Sequence, residues 1–160
     1  MTTFAITPVG VIKSPRIEPT DDFWGDLISE IHLDKDQFTP EALYGLADFS
    51  HAEILFLMHK VPPGEVEKGA RHPRGRKDWP LVGIFGHRGK GRPNRIGLSR
   101  CTIEKVDGTV LTVRALDAID GTPVLDIKPY MREFEPIGAV RQPAWSQELM
   151  RDYYKGGRSN

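Results

Sequence analysis

The sequence predicts a mainly β protein folded as a single small barrel, not a Rossmann-type nucleotide-binding fold. Three observations predict it. Short apolar runs of strand length recur along the chain, punctuated by Gly, Pro, Asp and Asn at close intervals. An Asp107-Gly108 step between two such runs is a strong local hairpin signal. Only two modest segments carry helical signals. Seven or so short strands with so little helix imply a closed barrel or a strongly curved sheet. The 160 residues suit one domain with a real core. The expected division is a barrel over 1–140 and a C-terminal helix and tail over 141–160.

Taken in order, Val9–Ser14 reads as a first strand ended by Pro15. Phe23-Trp24 is an aromatic pair in a polar loop; either ring could stack on a base or anchor the rim of the core. Asp26–Leu33 alternates as a strand, with Leu27, Ser29, Ile31 and Leu33 on one face. Thr39-Pro40-Glu41 is a helix start, and that short helix should fade by Ala47. Ala52–His59 is the most apolar run and is expected as a central strand buried on both sides. Val61–Pro80 is a long polar loop, a length usually tied to function or disorder. Val82–Phe85 reads as a strand, Gly86–Asn94 as a glycine-rich basic loop, and Ile96–Val106 as strand again. The Asp107-Gly108 turn leads into Thr109–Leu116, and Asp120–Pro123 turns into a short strand over Pro123–Ile127. Ala144–Lys155 can form an amphipathic helix with Trp145, Leu149, Met150 and Tyr153 on one side, facing either the barrel or a partner subunit.

The net charge is zero, but residues 68–95 carry nine Lys and Arg against Asp78 alone. Such a segment is either a scattered, solvated loop or a cationic face for an anionic partner. Five arginines between residues 71 and 93 favour the second, because the guanidinium fork suits phosphate. A lone cysteine, Cys101, excludes an internal disulfide and sits in a strand-like run, as a buried thiol would. His51 and His59 lack a third ligand at a fixed spacing, so no metal is expected. No apolar run reaches membrane-spanning length and the N-terminus lacks a signal-peptide pattern, so a cytoplasmic location is expected.

The basic glycine loop is not a known phosphate cradle. Ile84 stands where a P-loop needs its first glycine, and Gly91 where Ser or Thr should follow Gly89-Lys90. The Gly86, Gly89, Gly91 order also fails the dinucleotide fingerprint, and strand rather than helix follows it. The remaining polar candidates are Arg88, Arg92, Arg95 and Lys128 with Asp117, Asp120 and Asp126. Asp120 also reads simply as a turn residue. Asp117 and Asp126 lie beside apolar runs, where a carboxylate needs a partner; Lys128 is the obvious one. Carboxylates can bind a ribose diol and strand-end backbone can read an adenine edge, which suits a nucleotide-like ligand.

Four stretches carry a family resemblance: PVGVIKSP (8–15), FSHAEILFLMH (49–59), RPNRIGLS (92–99) and DAIDGTPVLDIKPY (117–130). Together they resemble the TsaA-like, or TrmO-type, family of S-adenosylmethionine-dependent tRNA methyltransferases. The resemblance implies a single-domain β-barrel, typically dimeric, that methylates N6 of the threonylcarbamoyl-modified adenosine beside the anticodon. It further implies that Arg88 and Leu98 contact the cofactor, Leu98 through its backbone. Leu116, Asp117, Ala118 and Ile119 would form the adenosine edge, and His59, Lys60, Asp22, Phe23 and Trp24 further parts of the pocket. Asp126, Lys128 and Tyr130 are the catalytic candidates, Asp126 or Tyr130 being the proton acceptor. Arg92, Asn94, Arg95, Arg74 and Arg76 are the candidates for gripping RNA. The sequence departs from the family's usual RPNP in having Arg95, which adds charge and frees the backbone. Longer members carry a C-terminal domain beyond the region of resemblance. Two other readings remain at this level: a cofactor- or RNA-binding barrel without catalysis, and a methyltransferase acting on another acceptor.

Overall fold

A computed structural model describes residues 1–156. Eight strands form: β1 Gly10–Lys13, β2 Ile28–Leu33, β3 His51–Leu57, β4 Ala70–Arg71, β5 Val82–Gly83, β6 Ile96–Asp107, β7 Val110–Arg114 and β8 Pro123–Pro129. Six of them close an antiparallel barrel in the order β1-β2-β7-β6-β3-β8, while β4 and β5 pair separately. The one α-helix among the described residues is α1, Ala144–Met150. The expected mainly β barrel is therefore the fold.

Alternation along each strand fills the barrel. Ile12, Ile31, Ala52, Ile54, Cys101, Leu111, Val113 and Val124 are all fully buried. The structure corrects the expectation for the central strand. β3 is buried on one face only: Ala52, Ile54 and Phe56 point inward, while His51, Glu53, Leu55 and Leu57 form the outer surface. A barrel wall has an outside, so even its most apolar strand keeps period-two alternation.

The helix expected from Thr39 is instead two 3-10 turns, Pro40–Leu43 and Leu46–Asp48. Gly45, at φ 77°, breaks the run between them, and the Thr39 side chain makes no capping bond. These turns still serve the core, delivering Leu43 and Leu46 to it. Likewise the expected strand at Val82–Phe85 pairs over only two residues before a 3-10 turn at Ile84–Gly86. The expected hairpin forms, but its loop is Gly108-Thr109, since Asp107 still pairs with Val110. Gly108 takes φ 58°, which suits the first position of a tight hairpin loop.

The C-terminal helix is shorter than expected, ending at Met150, and packs on the same chain. Trp145 lies 6.3 Å from the Trp79 ring and 6.2 Å from His87. Glu148 accepts hydrogen bonds from Trp79 Nε1 (3.0 Å) and Arg76 Nη1 (3.1 Å). The expected tail over 157–160 lies outside the described residues.

Candidate functional site

The outer faces of β6, β3 and β8 make one continuous surface. Leu98 pairs with Leu55, and Leu55 with Asp126; Arg100 pairs with Glu53, and Glu53 with Lys128. With strands about 4.8 Å apart, Leu98 and Asp126 stand roughly 10 Å from each other on that face. A bulge in β8 produces this arrangement. Val124 pairs with Phe56 and points inward, so in a regular strand Asp126 would also point inward. The register shifts between Phe56 and Leu55, leaving Leu125 as the extra residue and turning Asp126 and Lys128 outward.

Asp126 and Lys128 form an ion pair of 2.7 Å, and Asp126 Oδ1 also accepts the Ile127 amide at 2.9 Å. The bond to Asp126 holds the Lys128 ammonium above its ordinary pKa. Tyr130 lies under the Arg100 guanidinium, 4.1 Å from the ring centre. Desolvation, then the charge of Glu135, raises the Tyr130 pKa. At neutral pH this hydroxyl is a hydrogen-bond donor, which leaves Asp126 as the better proton acceptor of the two. Asp126 also borders a cleft of about 380 Å³ lined by Phe38, Tyr44, Phe49 and Ile127.

A second group forms around Asp117. Leu116, Ala118 and Ile119 are buried, and Asp117 is the half-buried residue of this edge. Asp117 Oδ2 accepts the Tyr153 hydroxyl at 2.5 Å, and Oδ1 is buried without a partner. The Arg88 guanidinium donates to the Leu98 carbonyl at 3.0 Å, tying the basic loop to β6. In the 22–24 segment Trp24 is buried and therefore does not stack on solvent-borne bases. Arg16 holds this turn, donating to the carbonyls of Asp22 (3.0 Å) and Phe23 (2.9 Å) and lying 4.0 Å over the Trp24 ring. Arg74 forms a two-pronged bond to the Asp22 carboxylate at 3.0 and 2.7 Å.

Several cations of the basic segment are already engaged, some by carboxylates and some by backbone carbonyls. Arg74 is committed to Asp22, and Arg76 to Asp78 and Glu148, so much of their charge is balanced within the chain. Arg92 donates to the His87 carbonyl (2.7 Å) and Arg95 to that of Val61 (2.8 Å). The turn carrying His59 and Lys60 abuts this loop: Met58 N bonds the Arg95 carbonyl, and Lys60 Nζ bonds that of Ile17, at 2.8 and 3.0 Å. His59 Nδ1 is buried with no partner.

Backbone strain concentrates in the same places. Among the described residues the non-glycines with positive φ are Phe23, Arg74, Asn94, Arg95 and Ala115. Four are candidates named from the sequence and Ala115 adjoins Leu116; strain of this kind gathers at ligand and active sites. Arg95 takes φ 53°, and its amide bonds the Arg92 carbonyl at 3.0 Å. Proline can do neither. The loop therefore has a shape that the RPNP version of the motif cannot copy.

Residues 18–136 match the tRNA-methyltransferase O N-terminal domain. The chain belongs to this family. It is 36% identical over 138 residues to a probable S-adenosyl-L-methionine-binding protein of Methanothermobacter thermautotrophicus, covering 83% of this chain and 94% of that protein. It is 35% identical over 140 residues to the Escherichia coli tRNA (adenine(37)-N6)-methyltransferase, covering 82% of this chain but 59% of that enzyme. With the human enzyme of the same name it is 41% identical over 102 residues, 64% of this chain and 23% of that one. A crystal structure of TrmO from Pseudomonas aeruginosa superposes with a TM-score of 0.71 at 30% identity, covering 88% of this chain and 61% of that one. The chain thus spans nearly all of the archaeal relative but well under two thirds of either methyltransferase.

Within this family fold, sequence reasoning did not single out Arg16, Ser99 or Tyr154 and gave Tyr153 only to the last helix, facing the barrel or a partner subunit. Ser99 Oγ accepts the Asp117 amide at 3.4 Å. Tyr154 lies on the same side, its hydroxyl pKa pushed up to about 12 by burial and then by the charge of Asp117. Ser99 ends the RPNRIGLS stretch, but Arg16, Tyr153 and Tyr154 stand in no short motif; the fold brings them together. Among the described residues no cluster of His, Cys, Asp and Glu could hold a metal, and no helix is long and apolar enough to cross a membrane.

Proposed function

We propose that the chain binds S-adenosylmethionine and transfers its methyl group to N6 of the threonylcarbamoyl-modified adenosine at position 37 of tRNA. Chiefly supporting this reading is the gathering of strained backbone, Arg88 and the half-satisfied Asp117 carboxylate in a chain of this family. The bare Asp117 Oδ1 fits a donor such as a ribose hydroxyl. Leu98, Leu116 and Ile119 would offer backbone groups to the cofactor, with Arg88 and the turns carrying Asp22–Trp24 and His59–Lys60 enclosing it.

The donor supplies a methyl carbon on a sulfonium: the N–C bond forms as the S–C bond breaks, and N6 gives up its hydrogen as a proton. The chain's main task is alignment of the reacting atoms. Asp126 accepts the proton, Lys128 holds that carboxylate, and Tyr130 donates a hydrogen bond to the acceptor. Arg92, Asn94 and Arg95, with the remaining cations of residues 68–95, meet phosphates. The protein acts in the cytoplasm and as a homodimer; the outer apolar row of Leu55, Leu57, Ile96 and Leu98, whose last two members are 38% and 42% exposed, supports the dimer. The name of the archaeal relative favours a second reading, cofactor binding without transfer.

Incubation with methyl-labelled S-adenosylmethionine and bulk tRNA, followed by nuclease digestion and mass spectrometry, separates them. Label in the modified adenosine, lost in Asp126→Asn, is the expected result. Cofactor binding with no label in tRNA would replace the transferase reading with the binding one.

A further inference from the structure

The segment after α1 is built into the candidate cofactor site. Phe23 N donates to the Asp152 carbonyl (3.1 Å) and Trp24 N to the Tyr153 carbonyl (2.8 Å). The approach is close at two points, and at Gly25, where backbone meets backbone, it leaves no room for a side chain. A Cβ on Gly25 would lie 2.0 Å from the Tyr154 carbonyl oxygen, and one on Gly156 2.0 Å from Asp26 Oδ2. Tyr153 therefore touches two separate parts of the site. Its carbonyl holds the turn at Phe23–Trp24, and its hydroxyl holds Asp117.

A carboxylate bonded at one oxygen and buried bare at the other is an incomplete arrangement. The bonded oxygen fixes the rotation of the group, so the bare oxygen points in one direction. Burial and the neighbouring negative charge of Asp117 keep the Tyr153 hydroxyl protonated, so it remains a donor across the neutral range.

We propose that Tyr153 is a positioning residue for the methyl donor: its hydroxyl aims the Asp117 carboxylate at the donor's ribose while its carbonyl fixes the Phe23–Trp24 turn, making the segment 152–156 one wall of the pocket. This rests on the assignment of Asp117 to the donor site made above.

A double-mutant cycle on the full chain tests it, with S-adenosylmethionine titrated by calorimetry into the wild type, Tyr153→Phe, Asp117→Asn and the double variant. Loss of one charge-assisted hydrogen bond should weaken binding about tenfold in Tyr153→Phe. The double variant should bind within about twofold of Asp117→Asn alone, because the tyrosine acts only through the aspartate. In turnover, the Tyr153→Phe effect falls on the KM for S-adenosylmethionine and not on kcat, a split that general loosening does not produce. Gly25→Ala should also weaken binding by driving the segment off, with Tyr153 and Asp117 both present. Unchanged affinity in Tyr153→Phe beside a large loss in Asp117→Asn overturns the proposal and leaves the site assignment standing. Additive losses overturn it equally. Unchanged affinity in Asp117→Asn removes the site assignment itself, and the proposal with it.

Discussion

Gly97 stands in the RIGLS stretch, directly across the ladder from Phe56. A Cβ built there lies 2.3, 2.4 and 2.9 Å from three atoms of the Phe56 ring. Carbon atoms pack best at about 3.5–4.0 Å, so Gly97→Ala forces the ring or the strand to move by about 1 Å or more. The ring is 4% exposed and lies among core side chains. Overpacking of this kind costs about 1–3 kcal/mol. For a protein of this size each kcal/mol lowers Tm by about 2–4 °C, so a fall of about 2–12 °C is expected in differential scanning calorimetry. Adding Phe56→Leu, which shortens the ring, should recover part of the loss, so that the double variant melts above the sum of the two single effects. The strain also reaches the site, because Gly97 precedes the Leu98 carbonyl that holds Arg88. A Gly97→Ala protein melting within about 1 °C of the wild type would show that the ring has room to yield and that the glycine is not there for packing.

Three further predictions follow from local chemistry. Arg95→Pro should lower stability by more than about 1 kcal/mol in denaturant titration, since it cannot take φ 53° and removes the amide bonded to Arg92; an equally stable variant would mean the loop adopts the RPNP shape freely. Cys101 is fully buried, and burial pushes its thiol pKa up to about 12; a thiol reagent at neutral pH should label it only after unfolding, and fast labelling of the native protein would contradict its placement in the barrel. The Glu148 pKa is lowered by hydrogen bonds from Trp79 and then Arg76. A depressed folded pKa gives stability that is present above the unfolded value of about 4.3 and lost as pH falls through the folded value. Tryptophan fluorescence should therefore report loosening of α1 in acid below that range. Glu148→Gln should abolish that acid step, and an unchanged step would assign it to another group.

Much of the barrel was legible because its strands alternate and its turns use Gly, Asp and Pro where the geometry asks for them. β3 was misjudged because Leu55 and Leu57 are as apolar as the inward residues; they cover the outer face beside Leu98 and Ile96. The helix from Thr39 failed because Gly45 breaks the run, a local signal that was present but outweighed by the Pro40 start. The candidate site was legible where the residues lie in contiguous motifs, as with Asp126 and Lys128. The bulge at Leu125 that turns them outward was not, since nothing in VLDIK marks the extra residue. Arg16, Tyr153 and the pairing of Arg74 with Asp22 depend on contacts between segments far apart in sequence. A charge count over residues 68–95 treats Arg74 and Arg76 as free cations, whereas each has a carboxylate partner elsewhere in the fold.

The proposed site for S-adenosylmethionine is bounded by Arg88, Leu98 and Asp117. Its most direct test is calorimetric titration of S-adenosylmethionine into the intact protein and into Arg88→Ala. Saturable binding with one site per chain is expected, weakened at least about tenfold when the guanidinium is removed. No heat of binding with the intact protein, or equal affinity in both, would contradict it.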